Sequence, residues 1–138
     1  MRNTVLREGP QGRQGAGMLV AEFKQLIEEI RKEGVEEINF LDLKEMQQEG
    51  ENFLLIDVRE PEELTPGMIP GAVALPRGML EIEIDRFTTD KDKQIVLYCR
   101  NGGRSLLAAY MLRRMGFSNV VSLLGGYTEW SKSLEKKE

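Results

Sequence analysis

Apolar stretches of strand length alternate with stretches of helical periodicity from Val35 onward, and this alternation limits the fold more than any other feature. Strands are predicted at residues 37–40, 53–58, 72–75, 94–99 and 119–122. Helices are predicted between and after them at residues 42–48, 61–64, 78–87, 104–115 and 127–136. Because this alternation is typical of a parallel sheet with helices on both faces, we expect an α/β fold: a single doubly wound domain with a central, mostly parallel five-stranded sheet.

Two of the predicted strands are continuous apolar runs, FLLIDV at residues 53–58 and QIVLYC at residues 94–99. Such runs are typical of central strands that are buried on both faces of a sheet. Their carboxyl ends carry Asp57 and Cys99. Ligand crevices in open α/β sheets lie at the carboxyl ends of the strands, so we expect these two side chains to lie near one site.

The region before the domain divides into two segments. Residues 1–17 contain four Gly, one Pro and no apolar periodicity, which predicts a disordered leader. Residues 18–34 predict an amphipathic helix that Gly34 ends. Its apolar face consists of Leu19, Phe23, Leu26, Ile27 and Ile30. This face packs either on the chain's own domain or on a second copy in a homodimer.

Two residue counts exclude most catalytic chemistries. The 138-residue chain has no histidine and a single cysteine, Cys99. Without histidine there is no Ser-His-Asp triad, no Cys-His pair and no histidine metal ligand. With one cysteine there is no internal disulfide, no CxxC redox pair and no thiolate zinc cluster. We therefore expect neither a metal nor a cofactor, and an enzyme of this composition would depend on Cys99.

Charge and hydropathy exclude further classes of protein. The net charge of −4 gives no reason to expect a nucleic-acid partner. No apolar run approaches the roughly 20 residues of a membrane helix, and the N-terminus lacks the order of a secretory signal. The expectation is a cytoplasmic protein that binds neither membrane nor nucleic acid.

The segment CRNGGRS, residues 99–105, places the cysteine between a buried strand and a helix. Amides and the positive dipole end at a helix N-terminus favour an anion such as a thiolate, and Arg100 and Arg104 flank the loop. Gly102 and Gly103 allow successive amides to converge on one point. The alternative is a buried structural cysteine with solvated arginines. The glycine pair, the arginines and the helix favour a loop that holds a negative sulfur, or a group attached to it.

The chain resembles the rhodanese family in four motifs that occur in the expected order. FLLIDVREPEEL is similar to the first family signature, GMIPGAVALP to the second, CRNGGRS to the active-site loop and LLGGYTEW to the closing motif. The resemblance extends from Ile38 to about Leu134 and implies a rhodanese-like domain over residues 35–138. One departure is Met68, which stands where the second motif commonly has histidine.

The resemblance implies a sulfurtransferase of the thiosulfate type. Cys99 would accept sulfane sulfur from a small anionic donor such as thiosulfate, form a persulfide, and pass the outer sulfur to cyanide, a thiol or a protein acceptor. The backbone from Arg100 to Arg104 would cradle the persulfide, and the two arginine side chains would attract the donor. Asn101, Gly102, Gly103 and Ser105 complete the substrate-binding set.

Three further residues at strand ends are candidates for the same crevice. Arg59 would add positive charge near Asp57, or else Asp57 caps a turn and Arg59 pairs with Glu60, Glu62 or Glu63. Arg77 follows the third predicted strand and is a candidate for donor binding.

Two other functions remain open for this sequence. A cysteine phosphatase or arsenate reductase also uses a thiolate in an amide nest beside an arginine. Four residues separate Cys99 from Arg104, which resembles sulfur-transferring members, whereas the related dual-specificity phosphatases have five. A non-catalytic binding module with this fold is the other alternative, and the intact loop argues against it.

Overall fold

Five short strands form one sheet in the computed structural model, which describes residues 9–135 and their side chains from residue 20 onward. The strands are β1 Glu36–Ile38, β2 Leu54–Asp57, β3 Val73–Ala74, β4 Ile95–Tyr98 and β5 Val120–Leu123. Their order is β1-β5-β4-β2-β3, and every neighbouring pair is parallel. The predicted α/β fold with five strands is therefore confirmed, and the sheet is entirely parallel.

The helices also follow the predicted order. They are α1 Gly9–Lys32, α2 Phe40–Gln48, α3 Leu80–Glu83, α4 Gly103–Arg114 and α5 Gly126–Glu135. Short 3₁₀ turns occur at Pro61–Leu64, Arg77–Met79 and Ile84–Arg86. The helix predicted at residues 78–87 is thus a single α-helical turn with a 3₁₀ turn at each end, a common form for short helical connections.

Apolar side chains of the central strand β4 divide between two cores. Ile95, Leu97 and Cys99 point to one face, where α1, α3 and α4 cover them. Val96 and Tyr98 point to the other face, where α2 and α5 cover them. This division follows from the period-2 alternation of a strand, and it is why β4 is apolar at every position. Cys99 therefore belongs to the face that carries α1 and α4.

The N-terminal helix α1 packs on α4 of its own domain. Ile27 and Ile30 are buried in the core, whereas Phe23 and Leu26 on the predicted apolar face stay partly exposed. The structure begins α1 at Gly9, so the helix extends further toward the N-terminus than the predicted start at Met18. Residues 1–8 and the Leu19 side chain lie outside the described residues, and the disordered leader and the dimer contact stay predictions. In the described part of the chain, neither α1 nor another helix has the length and apolarity needed to cross a membrane.

Candidate active site

Cys99 lies in the turn between β4 and the N-terminus of α4. Its side chain is 1% exposed, and its Sγ accepts the N–H of Gly102 at 3.1 Å. Gly102 is the residue before α4 and has φ +106°, a left-handed conformation that glycine adopts without steric cost. The next amides, in the first turn of α4, have no acceptor within the helix. The loop therefore directs backbone donors and the positive helix end toward the sulfur.

Two buried serines support the loop from behind. The Ser105 Oγ lies 3.6 Å from the Cys99 Sγ, donates to the carbonyl of Gly102 at 3.2 Å and lies 2.8 Å from the Ser122 Oγ. Ser122 belongs to β5 and is fully buried. Ser105 belongs to the predicted substrate-binding set, whereas Ser122 does not, although a serine within the apolar strand VVSL was the available signal.

The N-terminus of α5 fixes the outer side of the loop. Tyr127 donates its N–H to the carbonyl of Cys99 at 2.8 Å, and Thr128 donates its N–H to that of Arg100 at 3.0 Å. The Thr128 hydroxyl also contacts the Asn101 side chain at 3.0 Å. A Cβ built on Gly126 would lie only 2.4 Å from the Cys99 carbonyl oxygen. The closing motif thus holds the loop backbone in place, and Gly126 permits the close approach.

Glu63 lies between the two arginines of the loop, whereas from the sequence it is expected only as a partner of Arg59. Arg104 donates two hydrogen bonds to the Glu63 carboxylate, at 2.7 and 2.8 Å, and the Arg100 Nε lies 3.5 Å from it. The hydrogen bonds from Arg104 lower the pKa of Glu63 to about 2, and the hydrogen bond to Glu63 raises the pKa of Arg104. Two guanidinium groups facing one carboxylate leave one positive charge in excess beside the loop.

A cavity of about 470 Å³ opens in front of Cys99. The loop forms one wall and α1 forms the other. Its lining consists of Val20, Phe23, Lys24, Ile27, Glu28, Arg31, Cys99, Asn101, Gly103 and Arg104. No cluster of three or more potential metal ligands occurs among the described side chains of residues 20–135. The groups available for chemistry in the cavity are the thiol, the backbone amides, the cationic side chains and the Glu28 carboxylate.

Asp57 and Arg59 form a buried ion pair. The Arg59 side chain is 2% exposed, and its guanidinium binds the Asp57 carboxylate at 2.7 to 3.2 Å. It also donates to the carbonyls of Glu63 and Gly67 and stacks over the Tyr127 ring, 4.2 Å from the centroid. The Asp57 carboxylate also accepts the N–H of Arg59 and so caps the turn, as one of the two alternatives from the sequence predicted. The partner of Arg59 is Asp57 and not one of the following glutamates, because Asp57 lies inside the domain, where a buried cation needs a counter-charge.

Arg77 lies in the 3₁₀ turn after β3. Its guanidinium pairs with Glu81 at 2.9 Å, one helical turn further on, while its Nε is buried without a hydrogen-bond partner among the described residues. Arg77 is not one of the described residues that line the Cys99 cavity. Roles for Arg59 and Arg77 in donor binding stay predictions.

Comparison with known proteins gives consistent matches. The family described as Rhodanese-like domain matches residues 40–133. A sulfurtransferase of Allochromatium vinosum is 37% identical over 98 residues, which cover 71% of this chain and 90% of the relative. A putative sulfurtransferase of Bacillus subtilis, YtwF, is 39% identical over 103 residues, which cover 75% and 97%.

One of the matching solved structures also covers the region outside the domain. It is a Rhodopseudomonas palustris protein described as of unknown function and as a possible tyrosine phosphatase. It is 28% identical, has a TM-score of 0.72 and covers 96% of each chain. The similarity therefore includes much of the region N-terminal to residue 40.

Proposed function

Because this chain belongs to the rhodanese-like domain family and its relatives are named sulfurtransferases, we propose that it transfers sulfane sulfur through a persulfide on Cys99. The single observation that carries this proposal is the bond from the Gly102 amide to the Cys99 Sγ, at the N-terminus of α4 and on the wall of a cavity. Backbone donors in this position stabilise a thiolate before the reaction and the terminal sulfur of a persulfide after it.

The first half of the reaction loads the enzyme. The Cys99 thiolate attacks the outer sulfur of a donor such as thiosulfate, a new S–S bond forms to Cys99, and the old S–S bond breaks with its electron pair leaving as sulfite. The excess positive charge of Arg100 and Arg104 over Glu63 attracts the anionic donor toward the loop. The chain has no histidine to accept the thiol proton, so the Gly102 amide and the N-terminus of α4 are the groups that favour the thiolate.

The second half unloads the enzyme. A thiophilic acceptor, such as cyanide, a small thiol or a protein thiol, attacks the outer sulfur of the persulfide and releases the Cys99 thiolate. We also propose a cytoplasmic location, because a free reactive thiol persists best in a reducing compartment.

Mass spectrometry of the intact protein tests the proposal. After incubation with thiosulfate, we expect a species that is heavier by one sulfur atom and that cyanide converts back to the original mass. The Cys99→Ser variant is the control: it should keep the fold and gain no sulfur, because a hydroxyl cannot form the persulfide. Sulfur uptake by this variant would place the chemistry at another group.

Phosphoryl transfer is the second candidate, because the Rhodopseudomonas palustris neighbour is described as a possible tyrosine phosphatase. The ring from Cys99 to Arg104 has only four intervening residues, and a phosphoryl group brings three oxygens that need separate donors. We expect the native protein to hydrolyse an aryl phosphate far more slowly than it transfers sulfur. Inserting one Gly between Asn101 and Gly102 should weaken persulfide formation and permit slow aryl phosphate hydrolysis. Unchanged thiosulfate turnover after the insertion would show that ring size does not select the substrate.

A further inference from the structure

The cavity in front of Cys99 has one wall that lies outside the matched family region. The family matches residues 40–133, whereas Val20, Phe23, Lys24 and Ile27 belong to α1. We infer that α1 selects the sulfur compound that reaches Cys99, and that Phe23 favours one whose sulfane sulfur is attached to an apolar group. This inference rests on the proposed function and goes further by assigning donor selection to α1, a helix outside the matched domain.

The Phe23 ring lies directly against the start of α4. A Cβ built on Gly103 would be 3.1 Å from the Phe23 Cε2 and 3.9 Å from the Ile27 Cγ1. Any side chain at position 103 would therefore compete with the ring for space. The Phe23 side chain is 38% exposed and lines the cavity, so apolar ring surface faces the space that Cys99 also faces. A group attached to sulfur at Cys99 has this ring within the same cavity.

The size and charge of the cavity fit an anion with an apolar body. Its volume of about 470 Å³ lies within the range of roughly 300 to 1,000 Å³ that is typical of sites for organic ligands. Thiosulfate would fill only a small part of it. Glu28 and Glu37 pair with Arg31, and Glu63 pairs with Arg104 and lies beside Arg100. With Lys24 on the lining, four cations face three carboxylates, which leaves one positive charge in excess around the cavity. An organic thiosulfonate combines an anionic sulfur group with an apolar substituent, and it is the kind of donor that the Phe23 wall should favour over thiosulfate.

The transfer from a thiosulfonate needs no further reactant. The Cys99 thiolate attacks the outer sulfur of R–SO₂–S⁻ and forms an S–S bond. The bond between that sulfur and the sulfonyl sulfur breaks, and its electron pair leaves with the sulfinate R–SO₂⁻. The enzyme retains the persulfide anion, so charge, atoms and electrons balance.

Kinetics with two donors test the inference. The measured quantity is the ratio of kcat/KM for benzenethiosulfonate to that for thiosulfate. Phe23→Ala should lower this ratio about tenfold, the factor expected when an aromatic contact is lost. Leu26→Ala is the matched control, because Leu26 is a partly exposed apolar residue of the same helix that lines a separate groove with Leu107 and Tyr110. The control should keep the ratio of the native protein within about twofold.

A ratio that is equal in the native protein and in Phe23→Ala would overturn the inference, while sulfite release from thiosulfate would still uphold the proposed function. A second measurement separates the two further, because it needs no sulfur transfer. Benzenesulfonate should slow the alkylation of Cys99 by iodoacetamide more than sulfate does, and Phe23→Ala should remove most of that difference. Equal protection by the two anions would overturn the inference even in a protein that transfers sulfur.

Discussion

The Glu63 carboxylate is the shared partner of the two loop arginines, and the substitution Glu63→Gln tests how much that arrangement contributes to the fold. The glutamine keeps the size of the side chain and an oxygen that accepts the Glu60 N–H, which the native carboxylate accepts at 2.8 Å. It removes the charge that receives two hydrogen bonds from Arg104. The substitution therefore isolates the ion pair from the local capping contact.

The structure sets the expected size of the effect. The hydrogen bonds from Arg104 lower the pKa of Glu63 from its ordinary 4.5 to about 2. At 1.36 kcal/mol for each pH unit, this fall corresponds to roughly 3 kcal/mol of folding free energy before solvent screening is considered. The Glu63 side chain is only 16% exposed, but that of Arg104 is 35% exposed. Because solvent screens the pair on that side, we expect a loss of about 1 to 2 kcal/mol at neutral pH.

The sign of the pH dependence follows from the same shift. Folding lowers the pKa of Glu63, so the charged carboxylate stabilises the fold above pH 4.5, and this contribution disappears as the pH falls from 4.5 to about 2. Urea unfolding of the native protein and of Glu63→Gln should differ by about 1 to 2 kcal/mol at neutral pH, and by much less near the low end of that range.

A neighbouring residue provides the control for this experiment. Glu62 is an exposed residue of the same 3₁₀ turn, and Glu62→Gln should change the unfolding free energy by at most about 0.5 kcal/mol. Equal stability of Glu63→Gln and the native protein at neutral pH would refute the role of the ion pair. A stability difference that does not change with pH would show that the substitution acts through packing and not through charge.

Three further predictions concern the framework of the site. Gly126→Ala should destabilise the fold by about 2 kcal/mol or more in urea unfolding, because its Cβ would overlap a loop carbonyl, whereas Gly50→Ala, with φ +67° and open space around it, should cost about 1 kcal/mol. Arg59→Met should lower the free energy of unfolding by about 3 to 5 kcal/mol, because it leaves the buried Asp57 carboxylate without its partner. A native melting temperature combined with a raised KM would instead assign Arg59 to donor binding. Removing residues 1–17 should leave the melting temperature and turnover unchanged, whereas removing residues 1–33 should lower the melting temperature by at least about 10 °C, because two buried isoleucines leave the core.

Local patterns in the sequence were sufficient to predict the fold and the position of the Cys99 loop between β4 and α4. The strand and helix order could be predicted because each element carries its own periodicity and glycine boundaries. The Cys99 loop could be predicted because its cysteine, glycines and arginines are contiguous, and a strand followed by a helix fixes where such a loop lies. The Gly102 amide at the Cys99 Sγ is the contact that this local pattern predicts.

Contacts between distant elements needed the tertiary structure. Glu63 is 41 positions from Arg104, and the sequence offers Glu60, Glu62 and Glu63 as equivalent acids at that place. Only the packing of the 3₁₀ turn against the loop selects one of them. The position of Phe23 on the cavity wall could not be predicted for the same reason. The apolar face of a helix indicates that the face is buried, but it does not indicate which element buries it. The hydrophobic periodicity of a segment indicates which of its faces is buried. The pairing of particular side chains depends on how whole helices and strands lie relative to one another, and no single segment determines that arrangement.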